Sequence, residues 1–251
     1  MPAKLLLLGH RGARLYAPEN TIPAFDLSLS HGADGFEFDV RCTRSKQSII
    51  CHDNRFNRMV VRKSTLEQIH AKCSVDGKPP CLEDVLELYS RRAFLNIEVK
   101  VRGMEQVVLD AVKRFPPQRG YFISSFLPSV VRKLHALDHS LVLGAISKSY
   151  WHLRRWKALP VSYVVPHYTL VTPKLVDELH AAGKTVITWT VNDPRKMLQA
   201  AAMGVDGIIS DDTKLLVETL GNQSRYVVVR EVMVRNRLAA KPTKRFGAQR
   251  P

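Results

Sequence analysis

The chain predicts an α/β fold, a (β/α)8 TIM barrel with a short excursion after its second strand. Three observations carry that expectation. Short apolar runs alternate with amphipathic helical segments from residue 4 to residue 220, and eight strands can be counted once a hairpin arm is set aside. The length of 251 residues suits a single domain of this kind. Chemically active side chains recur at the carboxyl ends of the strands, the face on which barrels build their sites. A doubly wound open sheet is the alternative arrangement of the same elements.

The first strand is expected at 4–8, where Leu5 to Leu8 are all apolar, and it opens into Gly9-His10-Arg11-Gly12. Pro18-Glu19-Asn20-Thr21 then precedes a helix reaching about His31, with Asn20 or Thr21 available as its N-cap. Strand two, at 35–41, alternates Phe36, Phe38 and Val40 with Glu37 and Asp39. Successive side chains leave a strand on opposite faces, so one face is apolar and the other acidic. Two readings follow: a half-exposed strand with two surface acids, or a buried carboxylate pair that holds a hard divalent cation, Mg²⁺ or Ca²⁺. A hairpin arm at 48–51 ends in His52-Asp53 and brings His52 back toward the acids.

Residues 54–80 are polar, basic and irregular up to Pro79-Pro80, and form the excursion. Regular alternation follows it. Helices are expected at 82–89, 104–114, 128–137, 172–182, 194–203 and 212–220, with a poorer one at 149–158. Between them lie strands at 94–99, 121–124, 141–145, 161–165, 185–190 and 207–210.

Composition narrows the function classes. Hydrophobic residues at 45% and charged residues at 24% are those of a globular protein, which excludes wholesale disorder. The early apolar run is too short for a signal or membrane segment, so the chain reads as cytoplasmic. Its four cysteines form no Cys-x-x-Cys pair and are expected as free thiols. Net charge is +15, and residues 222–251 hold eight Lys/Arg against the single acid Glu231. The division expected is a catalytic barrel at 1–221 and a basic tail at 222–251. The tail is either a solvated terminus or a weak electrostatic contact with a membrane surface. No nucleic acid partner is expected, because the basic residues lack interleaved aromatics or a recognition motif.

The strand ends carry His10-Arg11, Glu37 and Asp39, His52-Asp53, Glu98-Val99-Lys100, Ser124-Ser125-Phe126, Pro166-His167-Tyr168, Trp189-Thr190-Val191-Asn192 and Ser210-Asp211. Gathering such groups at one end is unfavourable without a ligand. The chain resembles the glycerophosphodiester phosphodiesterase (GDPD) family over about residues 5 to 217. The resemblance rests on His-Arg-Gly at 10–12, Pro-Glu-Asn-Thr at 18–21, Glu-x-Asp at 37–39, His-Asp at 52–53, Ile-Glu-x-Lys at 97–100, Trp-Thr-Val-Asn at 189–192 and Gly-Val-Asp-Gly-Ile-Ile-Ser-Asp at 204–211, in that family's order.

The resemblance implies a metal-dependent hydrolase that splits a small-molecule glycerophosphodiester into an alcohol and glycerol 3-phosphate. It implies Glu37, Asp39 and Glu98 as metal ligands and His10 and His52 as the catalytic acid/base pair. Arg11 and Lys100 suit the phosphate, since fixed cations stabilise charge that grows on its oxygens. Asn20 is a candidate substrate contact as well as a cap, Trp189 a candidate cleft wall, and His167 an outlying candidate. One departure stands out: 54–64 lacks the glycine-bearing turn usual after His-Asp, and this excursion is expected to overhang the cleft. Two other functions remain open. One is a lysophospholipase D-type hydrolase tethered to a membrane by its tail, and the other is a non-enzymatic binder of anionic ligands or nucleic acid.

Overall fold

The structure, a computed structural model, describes residues 4–74 and 77–221, so the basic tail expected at 222–251 lies outside the described residues. In chain order, β1 (Leu6–His10) leads through α1 (Ile22–Ser30) to β2 (Gly35–Cys42), and β3 (Ser48–Ile50) folds back antiparallel on β2. The excursion holds β4 (Arg55–Phe56), β5 (Met59–Val60) and α2 (Leu66–His70). The chain then runs α3 (Leu82–Tyr89), β6 (Phe94–Val99), α4 (Glu105–Arg114), β7 (Tyr121–Ser125), α5 (Pro128–Leu137), β8 (Leu143–Ser147) and α6 (Tyr150–Leu153). It finishes with β9 (Tyr163–Pro166), α7 (Pro173–Ala181), β10 (Thr185–Thr188), α8 (Pro194–Ala202), β11 (Gly207–Ser210) and α9 (Thr213–Leu220). Eight strands pair in parallel, and β1 bonds to both β2 and β11, which closes the barrel. No helix among the described residues is long and apolar enough to cross a membrane.

Strand periodicity sorts the side chains. On β2, Phe36 and Phe38 point outward, where Phe36 stacks on Phe25 of α1 at 4.2 Å and meets Tyr89 of α3 edge-on at 5.0 Å. Glu37 and Asp39 therefore point inward. The barrel interior is filled by Leu8, Phe94, Phe122, Ile146, Val165, Ile187 and Ile209, with Tyr163 stacked on Phe122 at 4.2 Å. Apolar filling toward the amino ends leaves the carboxyl ends as the polar floor of a cleft.

Several expectations shift. The strand expected at 141–145 forms at Leu143–Ser147, because Asp138 accepts from both the N–H and hydroxyl of Ser140 and prolongs the preceding turn. The strand expected at 161–165 begins at Tyr163, after a turn in which Val161 N–H bonds to Leu159 O. Trp189 continues β10 only as a single bridge to His167. The poorer helix at 149–158 is one turn of α6 followed by a 3₁₀ segment, Arg154–Ala158. The excursion is more ordered than its sequence suggests: Asn57 and Arg58 both take positive φ, so a tight hairpin turn forms without glycine. Val61 and Ile69 bury with Ile49 and Cys51 in a small core of their own.

Gly35 is needed where β2 meets β6. A Cβ there would stand 1.8 Å from the carbonyl oxygen of Phe94, which is backbone and cannot move aside without parting the strands. Gly35→Ala is expected to cost about 3 kcal/mol or more, as overpacking against a fixed neighbour does. Urea unfolding checks this, and an unchanged midpoint would show that the β2–β6 seam is looser than described.

Candidate active site

The cleft at the carboxyl ends of the strands is a cavity of about 300 Å³. Its polar side is lined by His10, Arg11, Glu37, His52, Glu98 and Lys100, and its apolar side includes Phe126 and Trp189. Residues from β1, β2, β6 and the hairpin arm thus converge, as the strand-end positions predict.

One oxygen each of Glu37, Asp39 and Glu98 lie mutually within 4.8 Å, and all three residues are buried. Glu37 Oε1, Asp39 Oδ1 and Glu98 Oε1 make no hydrogen bond. Lys100 Nζ is 2.7 Å from Glu98 Oε1 and 3.3 Å from Asp39 Oδ1, while Arg11 Nε is 3.3 Å from Asp39 Oδ2. The acids thus meet positive charge, but these three oxygens lack aligned donors. Three carboxylates face two cations, which leaves negative charge in excess. Burial, then repulsion from Asp39 and Glu98, pushes Glu37 well above its ordinary range. Burial, then Asp39, pushes Glu98 up to about 7 against the pull of Lys100. Burial would raise Asp39 as well, but Lys100, Arg11 and the Asn20 amide outweigh it and hold this acid below its usual value. A buried triad of hard oxygens with unpaired lone pairs fits a divalent cation such as Mg²⁺ or Ca²⁺.

The N-cap of α1 is Thr21, whose hydroxyl accepts from Ala24 N–H. Asn20, at φ 60° and 2% exposed, donates from Nδ2 to Asp39 Oδ2 at 2.8 Å and accepts from Asp39 N–H at 3.2 Å. Both ends of its amide bond to Asp39, and it does not line the cavity. His167 also falls outside the cavity lining, its Nδ1 bonded to Thr169 Oγ1 at 2.8 Å. Trp189 does line the cleft; its indole N–H donates to Val165 O at 3.1 Å, and its ring meets Phe126 edge-on.

Two residues left without a role in the sequence reading complete the site. His10 Nδ1 lies 2.6 Å from Asp211 Oδ1. Asn192 donates to the other oxygen of Asp211 at 2.7 Å and accepts from the Asp211 N–H. Burial raises Asp211, but its bonds to His10 and Asn192 outweigh that and hold it below the usual carboxylate range. An ionised Asp211 makes Nδ1 of His10 the protonated nitrogen and leaves Nε2 facing the cleft, 4.0 Å from Glu37. Both residues belong to strand-end motifs, Asn192 to Trp-Thr-Val-Asn at 189–192 and Asp211 to the Ser-Asp that ends 204–211. His52 Nδ1 is similarly bonded to Asp53 at 2.8 Å, and its carbonyl accepts from Arg41 Nε at 2.7 Å. Burial lowers the His52 imidazole, opposed by Asp39.

The sign of the pH dependence follows from Glu98. Without metal its folded value of about 7 exceeds the usual 4.5, so the fold holds this proton more tightly than the unfolded chain. That contribution to stability is present at low pH and lost as pH rises between those values. His52 has the opposite slope below its usual 6.5, so the informative comparison is with Glu98→Gln. In EDTA the melting-temperature advantage of Glu98→Gln over the parent is expected to grow from pH 5 to pH 7.5; a constant difference would show that Glu98 is not titrating in the fold. With metal restored, the parent is expected to gain melting temperature, whereas Glu37→Gln should keep its fold but lose that gain.

Comparison with known proteins agrees with this geometry. Residues 10–215 match the model of the Glycerophosphoryl diester phosphodiesterase family. A glycerophosphodiester phosphodiesterase of Caldanaerobacter subterraneus subsp. tengcongensis is 31% identical, with 85% of this chain and 97% of that protein covered. One from Bacillus altitudinis is 30% identical, covering 82% and 94%. Among solved structures, the glycerophosphodiester phosphodiesterase of Thermotoga maritima superposes with a TM-score of 0.73 at 25% identity, covering 85% of this chain and 97% of its own. An Oleispira antarctica phosphodiesterase in complex with the product sn-glycerol-3-phosphate has a TM-score of 0.78 at 23% identity, covering 86% and 97%. This chain therefore belongs to the glycerophosphoryl diester phosphodiesterase family and is an enzyme of the phosphodiester-hydrolase class.

Proposed function

We propose that the enzyme hydrolyses glycerophosphodiesters to glycerol 3-phosphate and a free alcohol, with Glu37, Asp39 and Glu98 holding a divalent cation and with His10 and His52 dividing the proton transfers. The observation that carries this reading is the opening of two imidazoles onto the cavity whose floor is a buried carboxylate triad in which three oxygens accept no aligned hydrogen bond. The product named for the Oleispira antarctica structure supports the choice of substrate class.

A cation bound at the triad would offset its excess charge and polarise the phosphate oxygens. Arg11 and Lys100 line the same cavity; burial would lower both, but the neighbouring carboxylates, Asp39 first for Arg11 and Glu98 first for Lys100, outweigh it and keep both protonated, so they can meet charge that grows on the phosphate. His10 is built as a base. Asp211 fixes its tautomer and stabilises the imidazolium formed when Nε2 takes a proton, while Asn192 fixes Asp211. His52 then supplies the proton that the departing alkoxide needs. Where the hydroxyl beside the phosphate ester is free, His10 can deprotonate it; its oxygen attacks phosphorus, the alcohol departs with the His52 proton, and water afterwards opens the cyclic phosphate.

His10→Ala and His52→Ala are each expected to lower kcat by about a hundredfold or more, with metal binding retained. Asp211→Asn should lower kcat with KM little changed, because it leaves the ring in place but offers the wrong tautomer. The parent should show a bell-shaped pH–rate profile on glycerophosphocholine. Equal rates on a glycerol diester and its deoxy analogue would remove the cyclic route, and a His10→Ala enzyme with full turnover would remove the two-histidine mechanism.

A further inference from the structure

A second concavity of about 530 Å³ adjoins the active site, and five cations line it: Arg41, Lys46, Arg62, Lys100 and Arg102. No carboxylate lines it. Among the described residues, Arg41, Lys46, Arg62 and Arg102 form no ion pair; Arg41 and Arg102 spend only Nε, on His52 O and Ser129 Oγ. These cations come from four segments, namely β2, the β2–β3 turn, the excursion and the loop after β6. Like charges drawn onto one concave wall repel each other, and an anion seated among them relieves that repulsion.

The wall is held in place. Val61, which precedes Arg62, is buried in the small core of the excursion, and the β2–β3 turn is tied to the excursion by Arg44 N–H to Ser64 O at 2.9 Å. The excursion, expected to overhang the catalytic cleft, instead walls this neighbouring pocket through Val60 and Arg62, while the cleft itself takes only His52 from this region. Two features join the pocket to the chemistry. Lys100 lines both cavities, and Arg41, on the pocket wall, bonds to the carbonyl of His52. A leaving alcohol that takes its proton from His52 therefore has this basic pocket beside it.

We infer that the pocket is a subsite for an anionic group on the leaving alcohol, so that diesters with a phosphorylated polyol head group are favoured over those with neutral or cationic ones. This rests on the proposed hydrolase activity and adds its head-group class. A merely solvated basic face would favour the more anionic head group only through a long-range field that added salt screens.

The experiment compares glycerophosphoinositol, its ring-phosphorylated counterpart and glycerophosphocholine as substrates of the full chain at fixed ionic strength. The parent is expected to show kcat/KM about tenfold or more higher for the phosphorylated inositol diester than for the unphosphorylated one. Lys46→Glu combined with Arg62→Glu should lower that ratio about tenfold, whereas Lys46→Arg combined with Arg62→Lys should preserve it. A parent ratio of one or less overturns the subsite while leaving the hydrolase reading intact. So does a ratio unmoved by charge reversal in a variant whose melting temperature matches the parent. Absence of turnover on all three diesters would overturn both.

Discussion

The constraint on which this structure depends is the burial of more negative than positive charge at the mouth of a barrel. Glu37, Asp39 and Glu98 sit within hydrogen-bonding range of very few donors, and Arg11 and Lys100 are the cations near them. Desolvating a carboxylate is costly, so a protein that gathers three must protonate some of them or supply a counter-ion. The upward displacement of Glu37 and Glu98 is the metal-free answer, and a bound divalent cation is the other. Asp39 is the exception, because Lys100, Arg11 and Asn20 all favour its charged form. The triad thus contains one acid held ionised and two whose charged forms are disfavoured without a further counter-ion.

The barrel supplies the rigidity this arrangement requires. Glu37 and Asp39 are two residues apart on one strand, and β2 pairs Asp39 directly with Glu98 of β6, so the acids are brought together by register rather than by loops. The outward residues of the same strand, Phe36 and Phe38, are locked against Phe25 and Tyr89. Slipping β2 by one residue would carry the acids into that aromatic layer. The histidines are fixed differently. His10 stands at the end of β1 with Asp211 behind it, and His52 stands on the hairpin arm with Asp53 and Arg41 about it. The geometry of the cleft therefore combines strand register for the acids with side-chain bonds for the imidazoles.

Much of this was legible in the sequence. The alternation at 35–40 identifies β2 and its acidic face without reference to any relative, and the eight strand ends carry the residues that meet in the cleft. Both readings of that face were open until burial was known: Glu37 is 3% exposed and Asp39 fully buried. The rest was hidden for physical reasons. Asn20 looks like a cap because it precedes a helix, and only its left-handed backbone turns its amide onto Asp39. Asp211 and Asn192 lie far from His10 in the chain, and barrel closure between β1 and β11 brings Asp211 to it. The excursion shows no periodicity because its turn is built from Asn57 and Arg58 and its core from residues scattered over two segments.

The central claim, that the triad exchanges protons for a divalent cation, is tested most directly by counting the protons released when metal binds. Calorimetric titration of metal-free protein with Mg²⁺ or Ca²⁺ near pH 6.5, repeated in buffers of different ionisation enthalpy, gives that number. Release of about one to two protons is expected, since Glu37 and Glu98 must ionise to become ligands, and the share that comes from Glu98 should diminish as pH rises above about 7. Tight binding with no proton release would mean that the acids are already ionised in the metal-free fold, and that the triad does not exchange protons for a cation.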